Sequence, residues 1–362
     1  MKNTYGSSVA VTIFGESHGE AIGLVIDGMA PGIPVDSEFI EAQLTLRRPA
    51  GKISTARQEQ DPYQIVSGVF EGKTTGTPIC IVIPNSQTRS KDYAATRALA
   101  RPGHADFTAY AKYHGYEDYR GGGHFSGRIT AGIVAGGAVA ITALRGKGIE
   151  IGTHIARCAG ISDRPFAADP AADIAAVQKM PFAVLDEQAA AAMRERIEAA
   201  AADGDSVGGV LETIVTGLPA GVGEPWFDTL EGVLSHALFG IPAVKGVQFG
   251  DAFDLIDQPG SVYNDAFRMQ DGRVTTATNH NGGINGGITN GMPLVVRMAM
   301  RPTASIAAEQ QTVNIQTMEE TTLRVHGRHD PCLAPRAIPV MEAALAIAVL
   351  DAMMETAALD NV

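Results

Sequence analysis

Short apolar runs recur along the chain, and each is bounded by glycine, proline or polar residues. Runs of this length that contain many β-branched residues and lie between turn residues are typical of strands. The predicted strands are residues 9–15 (VAVTIFG), 21–28 (AIGLVIDG), 77–84 (TPICIVIP), 209–219 (GVLETIVTGLP) and 292–303 (MPLVVRMAMRPT). Two stretches, GLVIDGMAPGIP and LETIVTGLPAG, share the order apolar strand, Gly, Pro, Gly, which hints at an internal duplication.

Three longer stretches have the composition of helices. The first, from about Ser126 to Lys147, is rich in alanine and glycine and is apolar enough to pack closely in the interior. The second, from about Asp186 to Asp203, ends at Gly204, a residue type that commonly terminates helices. The third, from about Arg336 to Met354, is apolar enough to be a core helix. Together with the strands, these stretches predict a mixed α and β fold.

Composition limits the class of protein. The chain has 362 residues, 45% of them hydrophobic and 19% charged, which is typical of globular proteins. Its formal net charge of -12 disfavours a nucleic-acid partner, because binding to phosphates requires a basic surface. Long uninterrupted apolar runs and a cationic leader are both missing, so we expect a cytoplasmic protein that does not enter a membrane. The three cysteines are widely spaced, which favours reduced thiols.

The arginines are concentrated in early and late segments, most of them beside glycine or proline. Because a guanidinium group matches carboxylate and phosphate in bidentate geometry, this placement indicates a local anion-binding site. Ordinary surface charges near turns are the competing interpretation. The arginines concerned are Arg47, Arg48, Arg57, Arg97, Arg101, Arg120, Arg128, Arg297, Arg301, Arg324, Arg328 and Arg336.

Four histidines lie in glycine- or proline-rich loops together with Ser, Asp or Arg. Histidine exchanges protons near neutral pH, so such loops are candidates for a catalytic site. The segments are GESHGE (15–20), RPGHADF (101–107), GGGHFSGR (121–128) and HGRHDPC (326–332). The pattern of GGGHFSGR alone does not distinguish a catalytic loop, a phosphate-binding loop and a plain turn.

Two other chemistries can be tested against the motifs. The stretch SGVFEGKTTG (67–76) is close to a nucleotide-binding P-loop, but a serine stands where the first glycine is required. His326, His329 and Cys332 are spaced three residues apart, and all three are possible zinc ligands. A metal-assisted phosphohydrolase that uses these three residues is therefore an alternative, and a non-catalytic protein that binds flavin or a phosphorylated metabolite is another.

The motifs together resemble the chorismate synthase family. They occur in the order FGESHG, RPGHAD, DYRGGGHFSGR, AVKGVQFG, NHNGGINGG and GRHDPC, and they cover nearly the whole chain. The resemblance implies a single α+β domain over residues 1–362, a large layered β-α-β sandwich. It also implies a lyase that converts 5-enolpyruvylshikimate 3-phosphate to chorismate and phosphate by a 1,4-elimination, the last step of the shikimate pathway. The family requires reduced FMN, and the resemblance further implies a homotetramer.

The resemblance also assigns roles to residues in the motifs. His18 corresponds to the acid that protonates the departing phosphate, with Ser17 in a supporting relay, and His104 to the group that protonates the reduced flavin. Asp330 corresponds to the carboxylate that assists removal of the ring hydrogen. The expected substrate-binding residues are Arg47, Lys52, Arg101, Arg128 and Arg328. The expected flavin contacts are His124, Phe125, Ser126, Pro242, Ala243, Gly286, Arg301, Pro302, Thr303, Ala304, Ser305 and Arg328.

The chain departs from common forms of the family at a few of these positions. Lys52 stands where an arginine is frequent, and Arg301 and Ala304 stand where lysine and serine are common. None of these changes removes an expected acid or base. On this reading, the glycines of GGGHFSGR provide clearance for a flat cofactor. The sequence leaves open whether NADPH reduces the flavin on the protein or an external source supplies it reduced.

Overall fold

The computed structural model describes residues 2–49, 51, 53–54, 60–86, 97–325 and 329–359. Lys52, Arg57, His326 and Arg328, which the sequence analysis singled out, lie outside the described residues. The helices are α1 Ser37–Arg47, α2 Asp106–Tyr113, α3 Thr130–Arg145, α4 Ala171–Val177, α5 Glu187–Ala202, α6 Leu230–Phe239, α7 Ala252–Leu255, α8 Gly260–Tyr263 and α9 Ala334–Leu359. The strands are β1 Thr4–Tyr5, β2 Ala10–Gly15, β3 Ala21–Asp27, β4 Gln64–Ser67, β5 Val69–Phe70, β6 Lys73–Thr74, β7 Ile79–Pro84, β8 Glu150–Cys158, β9 Ile161–Ser162, β10 Gly209–Thr216, β11 Val244–Phe249, β12 Phe267–Gln270, β13 Arg273–Thr276, β14 Ile284–Asn285, β15 Ile288–Thr289, β16 Leu294–Met300, β17 Gln310–Asn314 and β18 Glu319–Leu323.

Two antiparallel sheets of five strands each form the frame of the fold. The first has the strand order β1-β2-β3-β7-β4, and the second has the order β11-β16-β10-β8-β9. In β16 every second residue is buried, as expected for a strand with one face on the core. All five predicted strands are confirmed, as β2, β3, β7, β10 and β16.

The three predicted helices are also present, with shifted ends. The first begins at Thr130 rather than near Ser126, because Ser126 is extended and its hydroxyl accepts a hydrogen bond from the Arg128 amide. The second is α5, and Gly204 follows it with a φ of +69°. The third is α9, which extends at both ends beyond the predicted range and contains Pro339.

The long helices α3 and α9 lie between the two sheets. Helix α3 packs on β3 and β7 of the first sheet, α9 packs on β8 and β10 of the second, and the two helices pack on each other. The contact is close at Gly137, where an added Cβ would lie 2.2 Å from the Cβ of Ala343. The predicted layered β-α-β sandwich is therefore confirmed. The buried apolar residues of both sheets belong to one cluster, and the single domain over 1–362 stays a prediction.

Two helices in the described part of the chain are long and apolar enough to span a membrane by length and composition alone. They are Gly127–Arg145 and Ala334–Ala357, and their apolar windows are 78% and 83% buried inside the fold. Core helices meet the same criterion, and these two are the central layer of the sandwich.

The two stretches that suggested an internal duplication occupy equivalent places. They contain β3 and β10, and each of these is the middle strand of its sheet. Each strand is followed by a glycine with positive φ, Gly28 (+83°) and Gly217 (+82°). An added Cβ would lie 1.8 Å from the Ser8 carbonyl oxygen at Gly28 and 2.2 Å from the Gly148 carbonyl oxygen at Gly217. In both sheets the glycine therefore lets the end of the middle strand pass close to a carbonyl oxygen of a neighbouring segment. The duplication itself stays a prediction.

A buried carboxyl group in α9 makes the stability of the fold depend on pH. Burial raises the pKa of Glu342 from 4.5 to about 7, although hydrogen bonds from Thr153 partly oppose this rise. The folded protein therefore binds this proton more tightly than the unfolded chain does. The contribution of Glu342 to stability is fully present below about pH 4.5 and is lost as the pH rises through about 7.

We expect Glu342→Gln to remove this part of the pH dependence. Between pH 4.5 and 8, the titration of Glu342 lowers the free energy of unfolding of the wild type by roughly 3 kcal/mol. Urea unfolding at both pH values measures this loss, which should be smaller in the variant. Glu195→Gln, at an exposed position of α5, is the control and should behave as the wild type does. Equal pH dependence in the Glu342→Gln variant and the wild type would contradict the assignment.

Candidate active site

One cavity of about 280 Å³ gathers most of the predicted site residues from distant parts of the chain. Its wall is formed by the end of α1, the loop before α2, the glycine turn before α3, the connection from α6 to β11, the end of β16 and the start of α9. The predicted residues that line it are Arg47, Arg101, His104, Phe125, Ser126, Arg128, Pro242, Ala243, Arg301, Thr303, Ala304, Ser305 and Asp330.

The glycine turn of GGGHFSGR runs between the two predicted acid–base histidines. Gly121, Gly122 and Gly123 have φ values of +65°, +109° and +54°, which only glycine adopts readily. An added Cβ on Gly121 would lie 2.1 Å from His18 Cε1, and one on Gly122 would lie 3.4 Å from His104 Nε2. The glycines therefore give room to the two histidine rings, whereas the sequence analysis had assigned this clearance to a cofactor.

His18 is buried behind Gly121 and forms a short relay with Ser17. The distance between Ser17 Oγ and His18 Nδ1 is 3.0 Å, and Ser17 Oγ donates a hydrogen bond to the Arg120 carbonyl oxygen at 3.3 Å. A hydroxyl group has one proton, so Ser17 accepts from the N–H of His18 Nδ1 when it donates to Arg120. This arrangement supports the predicted pairing of Ser17 with His18.

His104 is bound by a carboxylate that the sequence analysis did not single out. Asp106 Oδ1 lies 2.7 Å from His104 Nδ1, and both oxygens of Asp106 accept hydrogen bonds from the Arg101 guanidinium. Burial alone raises the pKa of Asp106, but the hydrogen bonds from Arg101 and His104 hold it well below its usual range. Arg101 is thus a paired cation at the edge of the cavity.

Two further predicted arginines share one buried carboxylate. Asp61 forms an ion pair with Arg128, and its other oxygen lies 3.6 Å from Arg47 Nη1. Arg128 also donates to Asn85 Oδ1, and Arg47 donates to the hydroxyl of Thr130 at 3.0 Å. These contacts fix both guanidinium groups in the cavity wall. They also reduce the positive charge that the arginines present to an anion.

Asp330 lies in the cavity wall directly before α9. Its carboxylate pairs with Arg336, and its main-chain carbonyl accepts a hydrogen bond of 2.7 Å from Thr303 Oγ1. Arg336 also donates from Nε to the Arg47 carbonyl oxygen at 2.8 Å, so it ties the start of α9 to the end of α1. Arg336 belonged to the late group of arginines in the sequence, but no role was predicted for it.

His329 is a second cavity residue without a predicted role in the elimination. Burial, followed by the nearby positive charge of Arg101, lowers the pKa of its imidazole, which favours the neutral ring. Its Nε2 atom is buried and has no hydrogen-bond partner among the described residues. A polar atom left unpaired beside a cavity is a contact point for a bound molecule.

Some predicted residues lie away from this cavity, and His18 and Ser17 stand behind the glycine turn, outside the cavity wall. The His124 ring points to β2, where Nδ1 donates a hydrogen bond of 2.7 Å to the Gly15 carbonyl oxygen. Gly286 is exposed at the turn between β14 and β15, and Pro302 does not contribute to the cavity wall. The roles predicted for Lys52 and Arg328 fall on residues outside the described ranges.

The described residues offer little support for a metal centre. Within them, no group of three His, Cys, Asp or Glu side chains is placed to hold a metal ion. Cys332 is buried, and its sulfur lies 3.7 Å from that of Cys158. The sulfur of Cys332 therefore packs against another thiol, and His326, the first of the three candidate ligands, lies outside the described ranges.

Comparisons with known proteins agree on one family. Residues 9–354 match the family model described as chorismate synthase. The chain is 44% identical over 355 residues to the chorismate synthase of Methanosarcina mazei, covering 98% of this chain and 96% of that protein. It is 46% identical over 353 residues to that of Methanocella arvoryzae, covering 97% and 94%. A crystal structure of chorismate synthase superposes with a TM-score of 0.76 at 28% identity, covering 97% of this chain and 93% of the other.

Proposed function

The chain belongs to the chorismate synthase family, and we propose that the cavity between the glycine turn and α9 is where it carries out the reaction of that family. The reaction is the elimination of phosphate from 5-enolpyruvylshikimate 3-phosphate, which gives chorismate. A carbon–hydrogen bond and a carbon–oxygen bond break: the electron pair of the first forms a new double bond, the existing ring double bond shifts by one position, and phosphate leaves with the electron pair of the carbon–oxygen bond. The protein is thus a lyase, and neither the phosphohydrolase nor the binding-protein alternative finds support in the comparisons.

Two histidines are placed to handle the protons of this reaction. His18 lies against Gly121 and His104 against Gly122; His104 and Gly121 line the cavity, and His18 stands behind Gly121, outside the cavity wall. We assign to His18, with Ser17, protonation of the departing phosphate, and to Asp330 assistance in removing the ring hydrogen. His104 holds a proton at the cavity wall. Positioned acids and bases of this kind contribute roughly 10²–10⁴-fold each.

The charges of the cavity suit a substrate with one phosphate and two carboxylates. Arg47, Arg101 and Arg128 line the wall in fixed positions and keep guanidinium edges near the cavity. Arg336 adds a cation that also pairs with Asp330. Because each of these arginines already contacts a carboxylate, the substrate meets cations of fixed geometry and moderate charge, which favours selective binding of correctly spaced anions.

The cavity also has the features required to hold FMN. Arg301 lines it and makes no ion pair among the described residues, so its charge is available to a phosphate group. Met300, Leu333 and Val340 provide apolar surface for a flat ring, and the unpaired Nε2 of His329 offers a polar contact. When bound, reduced FMN supplies electron density to the elimination and recovers it.

The observation that carries this proposal is that one cavity collects His104, Asp330 and the predicted arginines from both ends of the chain. The test is anaerobic incubation with 5-enolpyruvylshikimate 3-phosphate and photoreduced FMN, with phosphate and chorismate measured together. We expect both products in equal amounts, and none without flavin. Phosphate released without flavin but with a metal ion would indicate a hydrolase instead, and binding without turnover would indicate a binding protein. A parallel reaction with oxidised FMN and NADPH tests whether the protein reduces its own flavin.

We also propose the homotetramer that the family resemblance implies. Gly286, an expected flavin contact, is exposed and lies away from the cavity of its own chain. Assembly offers a way for this hairpin to reach the cavity of another copy. Sedimentation of the protein alone and with FMN measures the oligomeric state. The cytoplasmic location stays an expectation from the sequence.

A further inference from the structure

Asp106 binds two predicted site residues with one carboxylate. Oδ1 accepts from Arg101 Nη2 at 2.7 Å and lies 2.7 Å from His104 Nδ1. Oδ2 accepts from Arg101 Nε at 2.7 Å and from the Arg101 amide at 3.0 Å. These are short, charge-assisted contacts, and they connect the loop 101–105 to the first residue of α2.

This geometry selects which nitrogen of His104 carries a proton. A carboxylate accepts but does not donate, so the short contact requires a proton on Nδ1. Arg101 Nη2 has a second N–H and lies 3.1 Å from Nδ1, but the contact with Asp106 Oδ1 is shorter, at 2.7 Å, and a carboxylate oxygen and a nitrogen lone pair repel each other at that distance. Neutral His104 therefore presents a lone pair at Nε2, and protonated His104 presents an N–H there.

His104 Nε2 is the ring nitrogen that remains for contact with a bound molecule. Among the described residues no hydrogen bond occupies it, and it lies next to Gly122. His104 borders both the cavity described above and a second cavity of about 240 Å³. Other charged or titratable groups line these cavities, but in the described part of the chain only Asp106 and Arg101 contact the His104 ring within hydrogen-bond distance. The others in the two walls are Arg47, Arg97, Glu117, Asp118, Tyr119, Arg128, Arg301, Arg324, His329, Asp330 and Arg336.

We propose that Asp106 is a positioning residue for the elimination, which fixes the tautomer and the orientation of His104. This inference rests on the proposed function, because it assumes that the proton on His104 Nε2 is used. Asp106 acts through His104 and does not contact the substrate. The pairing with Arg101 keeps the carboxylate ionised, so it is available as an acceptor throughout the reaction.

The test is the Asp106→Asn variant, which keeps the size of the side chain and removes its charge. We expect kcat to fall about 10–100-fold, the range for loss of a group that orients a catalytic ligand, with a smaller change in KM. The pH profile of kcat should shift, because the protonated imidazole loses its carboxylate. The double variant with His104→Ala should be no slower than His104→Ala alone.

Asp173→Asn is the matched control, because Asp173 makes a comparable bidentate pair with Arg164, at 2.7 and 2.8 Å, away from the cavity. It should leave kcat and the pH profile unchanged. Additive effects in the double variant, or an unchanged pH profile in Asp106→Asn, would overturn the proposal.

A second measurement does not depend on turnover. The ¹⁵N chemical shifts of His104 in the resting protein report its tautomer, and we expect the proton on Nδ1 in the wild type. A proton on Nε2 of the neutral ring would overturn the proposal, even if Asp106→Asn fails to fold. If the wild type itself shows no elimination with reduced FMN, the proposed function fails, and the shifts still decide whether Asp106 sets the tautomer.

Discussion

His18→Ala is expected to lower kcat by roughly 10²–10⁴-fold, the range for loss of a positioned acid. The departing phosphate leaves with a negative charge that the acid neutralises, and alanine has no proton to offer. The ring of His18 is buried beside Gly121 and hydrogen-bonded to Ser17, so water does not easily take its place. Steady-state rates with photoreduced FMN measure the effect, and flavin binding should stay nearly intact. His104→Ala is expected to fall in the same range.

His236→Ala is the control for removal of a histidine, since His236 is exposed on α6 and contacts the ring of Tyr5 outside the cavity. Its kcat should equal that of the wild type. Ser17→Ala should have a smaller effect than His18→Ala, because it removes only the hydrogen-bond partner of Nδ1. Unchanged turnover in His18→Ala and His104→Ala together would refute the assignment of both residues.

Much of the fold follows from local patterns. The strands β2, β3, β7, β10 and β16 correspond to the short apolar runs between turn residues, and α3 and α9 correspond to the longest apolar stretches. Alanine and glycine in α3 indicated close packing, which the contact of Gly137 with Ala343 confirms. The order of the strands within each sheet depends on pairing between segments far apart in sequence, and no local pattern determines it.

The candidate site was predictable in its residue types but less so in its pairings. Histidines and arginines in rigid loops indicated an anion site with acid–base groups, and most of them line one cavity. The sequence did not indicate which carboxylates pair with these histidines and arginines. Asp61 and Arg128 are 67 residues apart in the sequence, so no local sequence pattern predicts that they pair. Asp106 stands two residues after His104 in RPGHAD, and the spacing alone does not show whether the side chains converge.

The arginine pairs change the interpretation of the charge pattern. An acidic chain with clustered arginines indicated a local anion-binding site. Asp61, which is buried, accompanies Arg47 and Arg128, and Asp106, which is partly buried, accompanies Arg101, so these acids orient the cations. Buried charges are costly unless paired, and this pairing lets several guanidinium groups converge on one cavity without their mutual repulsion dominating.

The glycine turn imposes the most severe steric limit near the proposed site. At Gly121 the backbone has a φ of +65°, and an added Cβ would come 2.1 Å from Cε1 and 2.4 Å from Nδ1 of His18. Contacts that short do not occur between folded side chains, so the ring or the turn must move. His18 is held by Ser17, and Gly123 is constrained by the Asp118 carbonyl oxygen, 2.1 Å from its own added Cβ. Relief of the clash therefore moves His18 and the glycine turn relative to each other, which changes the position of the proposed acid.

Gly121→Ala is accordingly expected to lower kcat by roughly 10²-fold, because a shift of about 1 Å in a reacting group has an effect of that size. Gly148→Ala separates this effect from backbone strain, since Gly148 also has a positive φ, +76°, but no atom lies within 4 Å of its added Cβ. In urea unfolding, both variants should lose about 1 kcal/mol of stability because alanine adopts a positive φ. Gly121→Ala should lose in addition whatever the clash with His18 costs. Only Gly121→Ala should lose activity. Full activity in Gly121→Ala would mean that His18 tolerates displacement and is not the acid.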